Sequence, residues 1–471
     1  MHFNSFCFIL FLAIVLIFRL ILKNTNCKQY RIFISLFSTL FYAWNAPKFL
    51  LILLFIAYSS YQFGGKISRA KNLNKAKYYL FGNILCSLSV LIYYKYLINI
   101  FNSLSTDTIF GIDINILYVV VPIGISFYVF QSISYTVDLY HKRIDQCESF
   151  LNYYLYLSFF PQLIAGPIVK AKEFLYQIER NRRLNLKVIS AGFFYLISGL
   201  FLKVVIADNI SFVVDKYWHL AFYIENGNFL SVCLAWLFGI QILADFSGYS
   251  YIALGIGYLL GFRLPVNFNF PYIANSFSEF WKRWHISLST WLKDYLYIPL
   301  GGNRNGKYLT YRNLFIVMAL GGLWHGGSLN FLLWGIIHGV ALIFEKIILN
   351  KYNSLSKKSI FKLVYYITVQ FIVMIAWIFF RTTETKHALL FVRNVFFGWT
   401  TPNLSATYWN EIGKAFLFSF PLIIAHLYVL YREKSQVQRN NYYIKAILAG
   451  WMLFAILTIY GNSNAFIYFK F

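Results

Sequence analysis

The stretch that decides the fold is residues 313–345, NLFIVMALGGLWHGGSLNFLLWGIIHGVALIFE. It is almost wholly apolar, yet it is much longer than the roughly 20 residues that one bilayer-crossing helix needs. Two glycine pairs, at 321–322 and 326–327, interrupt it near its middle. Glycine adopts backbone conformations that other residues avoid. The stretch is therefore predicted to make two shortened passes that meet near His325.

The whole chain shares this apolar character. Of its 471 residues, 59% are hydrophobic and only 13% are charged, whereas soluble proteins carry roughly 25% charged residues. An integral membrane protein is therefore predicted. The formal net charge of +25 comes from short basic clusters between apolar segments. Such clusters are typical of cytoplasmic loops and unlike the basic face of a nucleic-acid-binding domain, so no nucleic-acid partner is expected.

Ten segments are predicted to span the membrane as helices. They are residues 3–22, 31–44, 48–63, 79–100, 117–137, 190–207, 229–261, 362–380, 413–431 and 444–460. The predicted fold is an all-α polytopic membrane protein, with further re-entrant and interfacial helices around a central funnel. The first segment lacks the basic start and the cleavage site of a signal peptide, so it is expected to be retained. The second and third are short and nearly adjacent, so they are expected to form a hairpin.

Loop charge orients the spans, because cytoplasmic loops carry more Lys and Arg. Loops 64–78, 169–187 and 345–362 are basic and are predicted to be cytoplasmic. Loop 101–116 has two aspartates and no basic residue, and loop 208–228 is mildly acidic. This assignment places both ends of the chain outside.

One further apolar segment, 151–168, has basic residues on both sides and contains Pro161, Gly166 and Pro167. It is predicted to enter the membrane and return to the same side. Irregular backbone at membrane depth is stable only when it is buried in protein or lines a wet cavity. By the same reasoning, His325 is expected deep in the protein beside a cavity.

A single membrane-embedded domain, 1–471, is expected. It would contain N-terminal helices (1–137), a core with the re-entrant segments (138–345), C-terminal helices (346–460) and an outer tail (461–471).

His325 is the first candidate for chemistry. Burial in an apolar interior favours the neutral imidazole, which is the form that takes a proton from an attacking hydroxyl. The glycine pairs around it allow a substrate to approach the backbone closely. The alternative interpretation is a histidine that only hydrogen-bonds between helices.

His285 is the second candidate. It lies in residues 279–302, an amphipathic stretch rich in Trp and Tyr, as expected of a helix at the membrane interface. A role as an interfacial anchor alone remains open. Basic side chains in this region can attract the phosphates of an anionic molecule such as coenzyme A; they are Lys282, Arg283, Lys293 and Arg304.

Other chemistries lack their motifs. No third residue has metal-site spacing with the two histidines, and His-Glu-x-x-His is absent, so no metal is expected. Five scattered cysteines without Cys-x-x-Cys indicate no disulfide framework. Gly-x-Ser-x-Gly and Walker-type loops are also absent. His338 is predicted to be structural, and Asp245, inside an apolar run, is either functional or paired with a buried Arg or Lys.

Several motifs, in order along the chain, resemble the membrane-bound O-acyltransferase family. They are FYAW (41–44), PIGISFY (122–128), FFPQLIAGPI (159–168), DFSGYS (245–250), the His285 stretch and Trp324-His325-Gly326. The most similar branch is bacterial and contains the alginate O-acetylation membrane protein, the peptidoglycan O-acetyltransferase membrane subunit and the teichoic-acid D-alanyl transfer protein.

The resemblance implies that His325 is the catalytic histidine and His285 a second important polar residue. The residues expected to bind the donor substrate, acetyl-coenzyme A, are Lys282, Arg283, Trp324 and Arg304. The family often has an acidic residue after Phe-Ser-Gly-Tyr-Ser, where this chain has Tyr251, so no role is assigned to such an acid here.

The chain ends in Phe-Ile-Tyr-Phe-Lys-Phe, residues 466–471. This resembles the ending of the bacterial branch, in which the tyrosine is implicated as an acyl carrier, and implies Tyr468 as the carrier. A phenol has a pKa near 10 and needs a base, and its ester is activated for onward transfer. A tail that only packs on the helices is the alternative.

The expected function is an O-acetyltransferase of the bacterial inner membrane. It would move acetyl groups from cytoplasmic acetyl-coenzyme A across the membrane for O-acetylation of an envelope polysaccharide, peptidoglycan before an alginate-like exopolysaccharide. Its expected partners are a periplasmic O-acetyltransferase, membrane lipid and, indirectly, the polysaccharide. Two other classes remain open: a transporter in which His325 and Asp245 form a proton or ligand path, and a non-catalytic scaffold.

Overall fold

The computed structural model describes residues 3, 5–22, 24–97, 108–109, 112–113, 121–164, 166–182, 184–223, 228–351, 359–397, 406–435, 442–459 and 466. The regular secondary structure of these residues is helical, apart from a pair of two-residue antiparallel strands, β1 (Thr108–Ile109) and β2 (Ile112–Asp113). The predicted all-α membrane protein is confirmed.

The chain forms two compact units. The first comprises Met1–Leu196 and Ile252–Pro265, and the second comprises Ile197–Tyr251 and Val266–Phe471. The expectation of one domain over 1–471 stays a prediction.

Eight helices lie wholly in the described part of the first unit. They are α1 (Phe6–Ile21), α2 (Lys28–Asn45), α3 (Leu50–Ser68), α4 (Leu73–Ile92), α5 (Ile125–Tyr140), α6 (Phe150–Ser158), α7 (Phe160–Leu163) and α8 (Ala171–Ile178). A 3₁₀ turn, Pro47–Phe49, joins α2 to α3, because proline has no N–H to continue a helix. Helices α6 and α7, in the segment predicted to be re-entrant, are each too short to cross a bilayer.

The chain leaves the first unit through α9 (Leu186–Leu200), followed by a π-helical turn, Phe201–Ala207. The remaining helices are α10 (Asp208–Tyr217), α11 (Leu220–Tyr223), α12 (Asn228–Leu260), α13 (Phe277–Arg283), α14 (Ile286–Leu292), α15 (Lys307–His325), α16 (Leu329–Lys351), α17 (Ser359–Arg381), α18 (Thr385–Phe396), α19 (Ala406–Ser435) and α20 (Tyr442–Thr458). Residues 252–260 of α12 belong to the first unit, and the others lie in the second.

Seven stretches of the described chain are long and apolar enough to cross a membrane, against ten predicted. They are Pro47–Ser68, Leu73–Leu97, Leu186–Tyr217, Phe229–Leu260, Leu329–Ile348, Ile360–Arg381 and Ala406–Glu433. Helices α1 and α20 are apolar but shorter. The fifth stretch lies in α16, which was predicted to be a shortened pass; α16 is instead long enough to cross the membrane.

Glycine backbone contacts hold α15 and α16 together. A Cβ atom on Gly322 would lie 2.2 Å from the Phe331 carbonyl oxygen, and one on Gly335 would lie 2.3 Å from the Met318 carbonyl oxygen. Small residues allow such close helix packing in membranes. Helix α15 ends at His325, because the backbone of Gly326 is extended (φ −170°, ψ 163°). The break between the two passes therefore lies where the glycine pairs predicted it.

Candidate active site

Aromatic rings surround His325 at the C-terminal end of α15. Its imidazole centroid lies 4.9 Å from that of Trp324, 5.0 Å from Trp334 and 5.0 Å from Phe380. The side chain is buried, with 5% of the residue exposed. His325 therefore lies in apolar, aromatic surroundings within the second unit.

Hydrogen bonds instead fix His285. Its Nδ1 lies 3.2 Å from Asn267 Oδ1, and the same oxygen accepts hydrogen bonds from the backbone N–H (3.1 Å) and hydroxyl (2.9 Å) of Ser287. A backbone N–H can only donate, so the shared Asn267 atom is the amide oxygen and His285 Nδ1 carries the proton. The lone pair of His285 is therefore on Nε2, which is the tautomer of a base that accepts a proton there.

The backbone of His285 makes this placement possible. The residue joins α13 to α14 in the left-handed region (φ 41°, ψ 54°), which non-glycine residues seldom adopt. Backbone hydrogen bonds secure the bend on both sides: Ile286 donates to the Asn267 carbonyl and Asn269 donates to the Arg283 carbonyl, each at 2.9 Å. Burial lowers the pKa of His285 to about 3, so the imidazole is neutral at physiological pH.

Trp324 lies beside both histidines. Its ring centroid is 6.0 Å from His285 and 4.9 Å from His325. On the other side of His285, Phe246 of α12 approaches edge-on at 4.7 Å. The structure thus brings the two predicted histidines together around one tryptophan, which was itself predicted as part of the donor site.

The predicted coenzyme A-binding cations have different surroundings. The Arg283 guanidinium pairs with Glu279 at 2.9 Å and with Glu433 of α19 at 2.8 Å. Lys282, Lys293 and Arg304 are exposed, and none of the three makes an ion pair with a carboxylate in the described ranges. A phosphate at Arg283 would have to compete with two carboxylates. Coenzyme A binding by this group stays a prediction.

Asp245 has a buried cationic partner. Its Oδ1 lies 2.9 Å from Lys203 Nζ, which also lies 2.7 Å from Asp208 Oδ1. All three side chains are almost fully buried, as buried charges are when they are paired. Of the two interpretations of Asp245, pairing with a buried lysine is the one found. Lys203 lies in the π-helical turn, and no sequence motif indicated its partners.

The sequence analysis missed two polar residues, one that contacts His285 and one that contacts the helix leading to it. Asn267 lies in an irregular segment and matched no motif. Glu345 was placed at the start of the basic 345–362 loop, but it lies inside α16 and is buried. An ionisable residue at the end of an apolar run is a functional-site candidate, and this signal would have singled it out.

Glu345 binds the N-terminal end of α13, the helix that leads to His285. Its carboxylate accepts hydrogen bonds from the backbone N–H groups of Phe277 (2.6 Å) and Ser278 (3.1 Å). It also accepts one from the Ser278 hydroxyl and one from the Tyr365 hydroxyl at 2.8 Å. A negative charge is favourable at a helix N-terminus. Glu345 therefore ties α13 to α16 and α17.

Tyr468 lies outside the described residues. The nearby Phe466 is described and fully buried. Its ring centroid lies 3.9 Å from Tyr249 and 5.9 Å from Phe246, and Phe246 contacts His285. One aromatic ring, that of Phe246, thus lies between Phe466 and His285.

The remaining predicted features are simpler. His338 is fully buried and packs against Phe280, Trp281 and Trp334. The five cysteines are free thiols. Among the residues that the structure covers, no group of three or more His, Cys, Asp and Glu is placed to hold a metal ion.

Comparisons with known proteins agree with the resemblance in the motifs. The profile of the membrane-bound O-acyltransferase family matches residues 137–383. A probable alginate O-acetylase of Pseudomonas putida is 36% identical over 412 residues, which are 86% of this chain and 81% of that protein. A probable alginate O-acetylase of Pseudomonas syringae pv. tomato is 38% identical over 367 residues, 76% of this chain and 68% of that protein. A peptidoglycan O-acetyltransferase of Helicobacter pylori is 35% identical over 393 residues, 76% of this chain and 72% of that protein.

Proposed function

The chain belongs to the membrane-bound O-acyltransferase family, and we propose that it supplies acetyl groups for O-acetylation of an envelope polysaccharide from the bacterial inner membrane. The donor is cytoplasmic acetyl-coenzyme A, and a separate periplasmic protein completes the transfer. The acceptor is peptidoglycan or an alginate-like polymer. The names of two relatives that match most of the chain, an alginate O-acetylase and a peptidoglycan O-acetyltransferase, support this acceptor class.

The observation that carries the proposal is the placement of two buried histidines around Trp324. His325 acts as the general base and takes the proton of an attacking hydroxyl, an effect worth roughly 10²–10⁴ in rate. The hydroxyl oxygen bonds to the acetyl carbon, the carbon–sulfur bond breaks, and the proton passes from His325 to the departing thiolate. The products are an ester and free coenzyme A.

His285 has a different role in this proposal. Asn267 holds its proton on Nδ1, so Nε2 is an acceptor and not a donor. A neutral acceptor of this kind orients the attacking hydroxyl or an amide of the donor by a hydrogen bond. The aromatic surroundings exclude water, which would otherwise hydrolyse the thioester.

Tyr468 is proposed as the first acceptor of the acetyl group. Phe466 is anchored beside Phe246, which contacts His285. An extended chain advances at most about 3.6 Å per residue, and Tyr468 follows Phe466 by only two residues, which supports this assignment. The aryl ester is activated for transfer to the periplasmic partner.

The test is acetyl transfer from labelled acetyl-coenzyme A by the purified protein. His325→Ala is expected to lower the rate of acetyl transfer by about 10²–10⁴-fold. His219→Ala, at an exposed histidine, is expected to keep the wild-type rate. Tyr468→Phe is expected to abolish labelling of the protein, and Tyr308→Phe, at an exposed tyrosine, leaves it intact. Full transfer by His325→Ala would show that His325 is not the general base, whereas absence of transfer by the wild-type protein would favour the transporter or scaffold alternatives.

The acceptor is tested separately. Envelope sugars from a strain that lacks the protein are analysed by mass spectrometry for O-acetyl groups. Loss of acetyl groups from peptidoglycan, or from an alginate-like polymer, identifies the acceptor. Unchanged acetylation of both polymers would contradict the proposed acceptor. The acyl-transfer chemistry is tested separately, by the assay with the purified protein.

A further inference from the structure

Helices α16 and α17 enclose an apolar groove that the acyl-transfer proposal does not use. Its volume is about 680 Å³, within the roughly 300–1,000 Å³ typical of small-molecule sites. Its walls include Val340, Ala341 and Phe344 of α16 and Val364 and Phe371 of α17. The hydroxyl of Tyr365 and the carboxylate of Glu345, which also line it, are hydrogen-bonded to each other.

The groove faces the membrane. Both helices contain stretches that are long and apolar enough to cross a bilayer. Phe344 is 61% exposed in the protein and Val364 is 55% exposed, so these lining side chains are not covered by the described protein. Water is a poor occupant of an apolar groove at this depth, because it finds no hydrogen-bond partners there. A hydrocarbon chain is the fitting occupant.

Two lysines adjoin lining residues at one end of the groove. Lys346 follows the lining residue Glu345, and Lys362 follows the lining residue Phe361. Hydrogen bonds from α13 and from Tyr365 already surround the Glu345 carboxylate, and in the described part of the chain no carboxylate pairs with either lysine. The positive-inside rule assigns this end to the cytoplasmic leaflet, where anionic lipids attract basic residues.

We propose that this groove binds an anionic glycerophospholipid of the cytoplasmic leaflet. One acyl chain lies along the groove between α16 and α17, and the phosphate lies at Lys346 and Lys362. The lipid is held there and is not a substrate, so no bond is made or broken. Because α16 carries Trp334 and α17 carries Phe380, the lipid supports two helices that contact His325.

The test uses the full-length protein, purified in mild detergent and stripped of lipid. Long-chain phosphatidylglycerol or phosphatidylethanolamine is titrated in and bound lipid is counted by native mass spectrometry. The wild type is expected to bind one phosphatidylglycerol in preference to phosphatidylethanolamine. Ala341→Trp, which fills the groove, is expected to weaken binding about tenfold or more. Ile367→Trp is the matched control, since Ile367 is an exposed residue of α17 that does not line the groove.

A second pair of variants tests the headgroup. The double variant Lys346→Glu, Lys362→Glu is expected to lose the preference for phosphatidylglycerol, by about tenfold or more. Lys187→Glu, at an exposed lysine, is expected to keep it. Size-exclusion profiles establish that each variant is folded.

Two results would overturn the proposal. One is undiminished phosphatidylglycerol binding by a folded Ala341→Trp protein. The other is equal binding of phosphatidylglycerol and phosphatidylethanolamine by the wild-type protein, which would contradict the anionic headgroup. Neither result bears on acetyl transfer, which His325→Ala tests independently.

Discussion

The two histidines of the candidate site share Trp324 as a neighbour, but different forces hold them. His285 is held by directional hydrogen bonds, and Asn267 decides which of its nitrogens carries the proton. His325 is held by ring packing and by the position of its helix against α16. The hydrogen bonds of His285 determine which of its nitrogens carries the proton, whereas the packing of His325 determines where its imidazole lies. Changes in polarity should therefore matter most at His285, and changes in volume should matter most at His325.

The largest effect is expected from Gly322→Leu. Even a Cβ atom there would lie 2.2 Å from the Phe331 carbonyl oxygen, so a leucine must push α15 away from α16 and displace His325. Overpacking of this kind costs about 1–3 kcal/mol or more of stability, and a displacement of about 1 Å at a reacting group can cost about 10²-fold in rate. Acetyl transfer and thermal unfolding of the purified variant measure the two effects.

The control for that prediction is Gly413→Leu. Gly413 is also a helical glycine, in α19, and a Cβ atom there would meet nothing within 4 Å. It should leave both rate and unfolding temperature nearly unchanged. If Gly322→Leu behaved like this control, glycine packing would not be what positions His325.

A smaller loss, of about 10- to 100-fold in rate, is expected from Asn267→Leu. The leucine keeps the volume but removes the oxygen that three donors use, so His285 is free to change tautomer. Each buried donor left without a partner costs about 1–3 kcal/mol. Rate and KM are measured together, with Asn303→Leu, at an exposed asparagine, as the control. A rate equal to that of the wild type would show that the tautomer of His285 does not matter for transfer.

The contrast between the two histidines also shows what sequence patterns can reveal. The break at His325 was predictable, because it follows from apolar length and two adjacent glycine pairs. The hydrogen bond between Asn267 and His285 was not predictable, because Asn267 is distant in sequence from the residues it binds and lies in a segment without periodicity. Asp245 was recognisable as a buried acid, but only folding brings it to Lys203. Contacts that depend on tertiary packing leave no local signal.

Helix ends were the weakest part of the prediction for a related reason. The charge of Lys346 suggested that a loop begins at residue 345, yet α16 continues to Lys351. The carboxylate of Glu345 is buried because the first residues of α13 donate hydrogen bonds to it. Helices α1 and α20 are likewise apolar but shorter than the spans predicted there. The number of crossings was therefore less predictable than the all-α fold.

A loss of several-fold in rate is expected from Glu345→Gln. The amide has only one acceptor oxygen, so at least one N–H of α13 loses its partner, at a cost of about 1–3 kcal/mol in stability. Because α13 leads to His285, the rate should fall more than the KM changes, and His325 should be unaffected. Glu384→Gln is the control, since Glu384 is an exposed glutamate at the start of α18 whose side chain makes no capping hydrogen bond. Equal effects in the two variants would show that Glu345 does not position His285 for acetyl transfer.

The smallest effect concerns pH and separates the two histidines most directly. Because burial lowers the pKa of His285 to about 3, against an ordinary value near 6.5, this group stays neutral between pH 5 and 8. It should add no inflection to the rate in that range. Between about pH 6.5 and 3 the unfolded chain takes up the proton that folded His285 does not, so its contribution to stability falls as the pH falls, by at most about 1.4 kcal/mol per pH unit.

Asn267→Asp sharpens that test. A carboxylate at the same position still accepts the Nδ1 hydrogen bond, but its negative charge stabilises the imidazolium and raises the pKa of His285. The variant should therefore show a new rate inflection as the pH is lowered from 8 to 5, where wild type shows none from this group. Stability in acid should then decline less steeply than in wild type. If the two pH profiles coincided, Asn267 would not control the proton of His285. The contrast between hydrogen bonding at His285 and ring packing at His325 would then have no functional consequence.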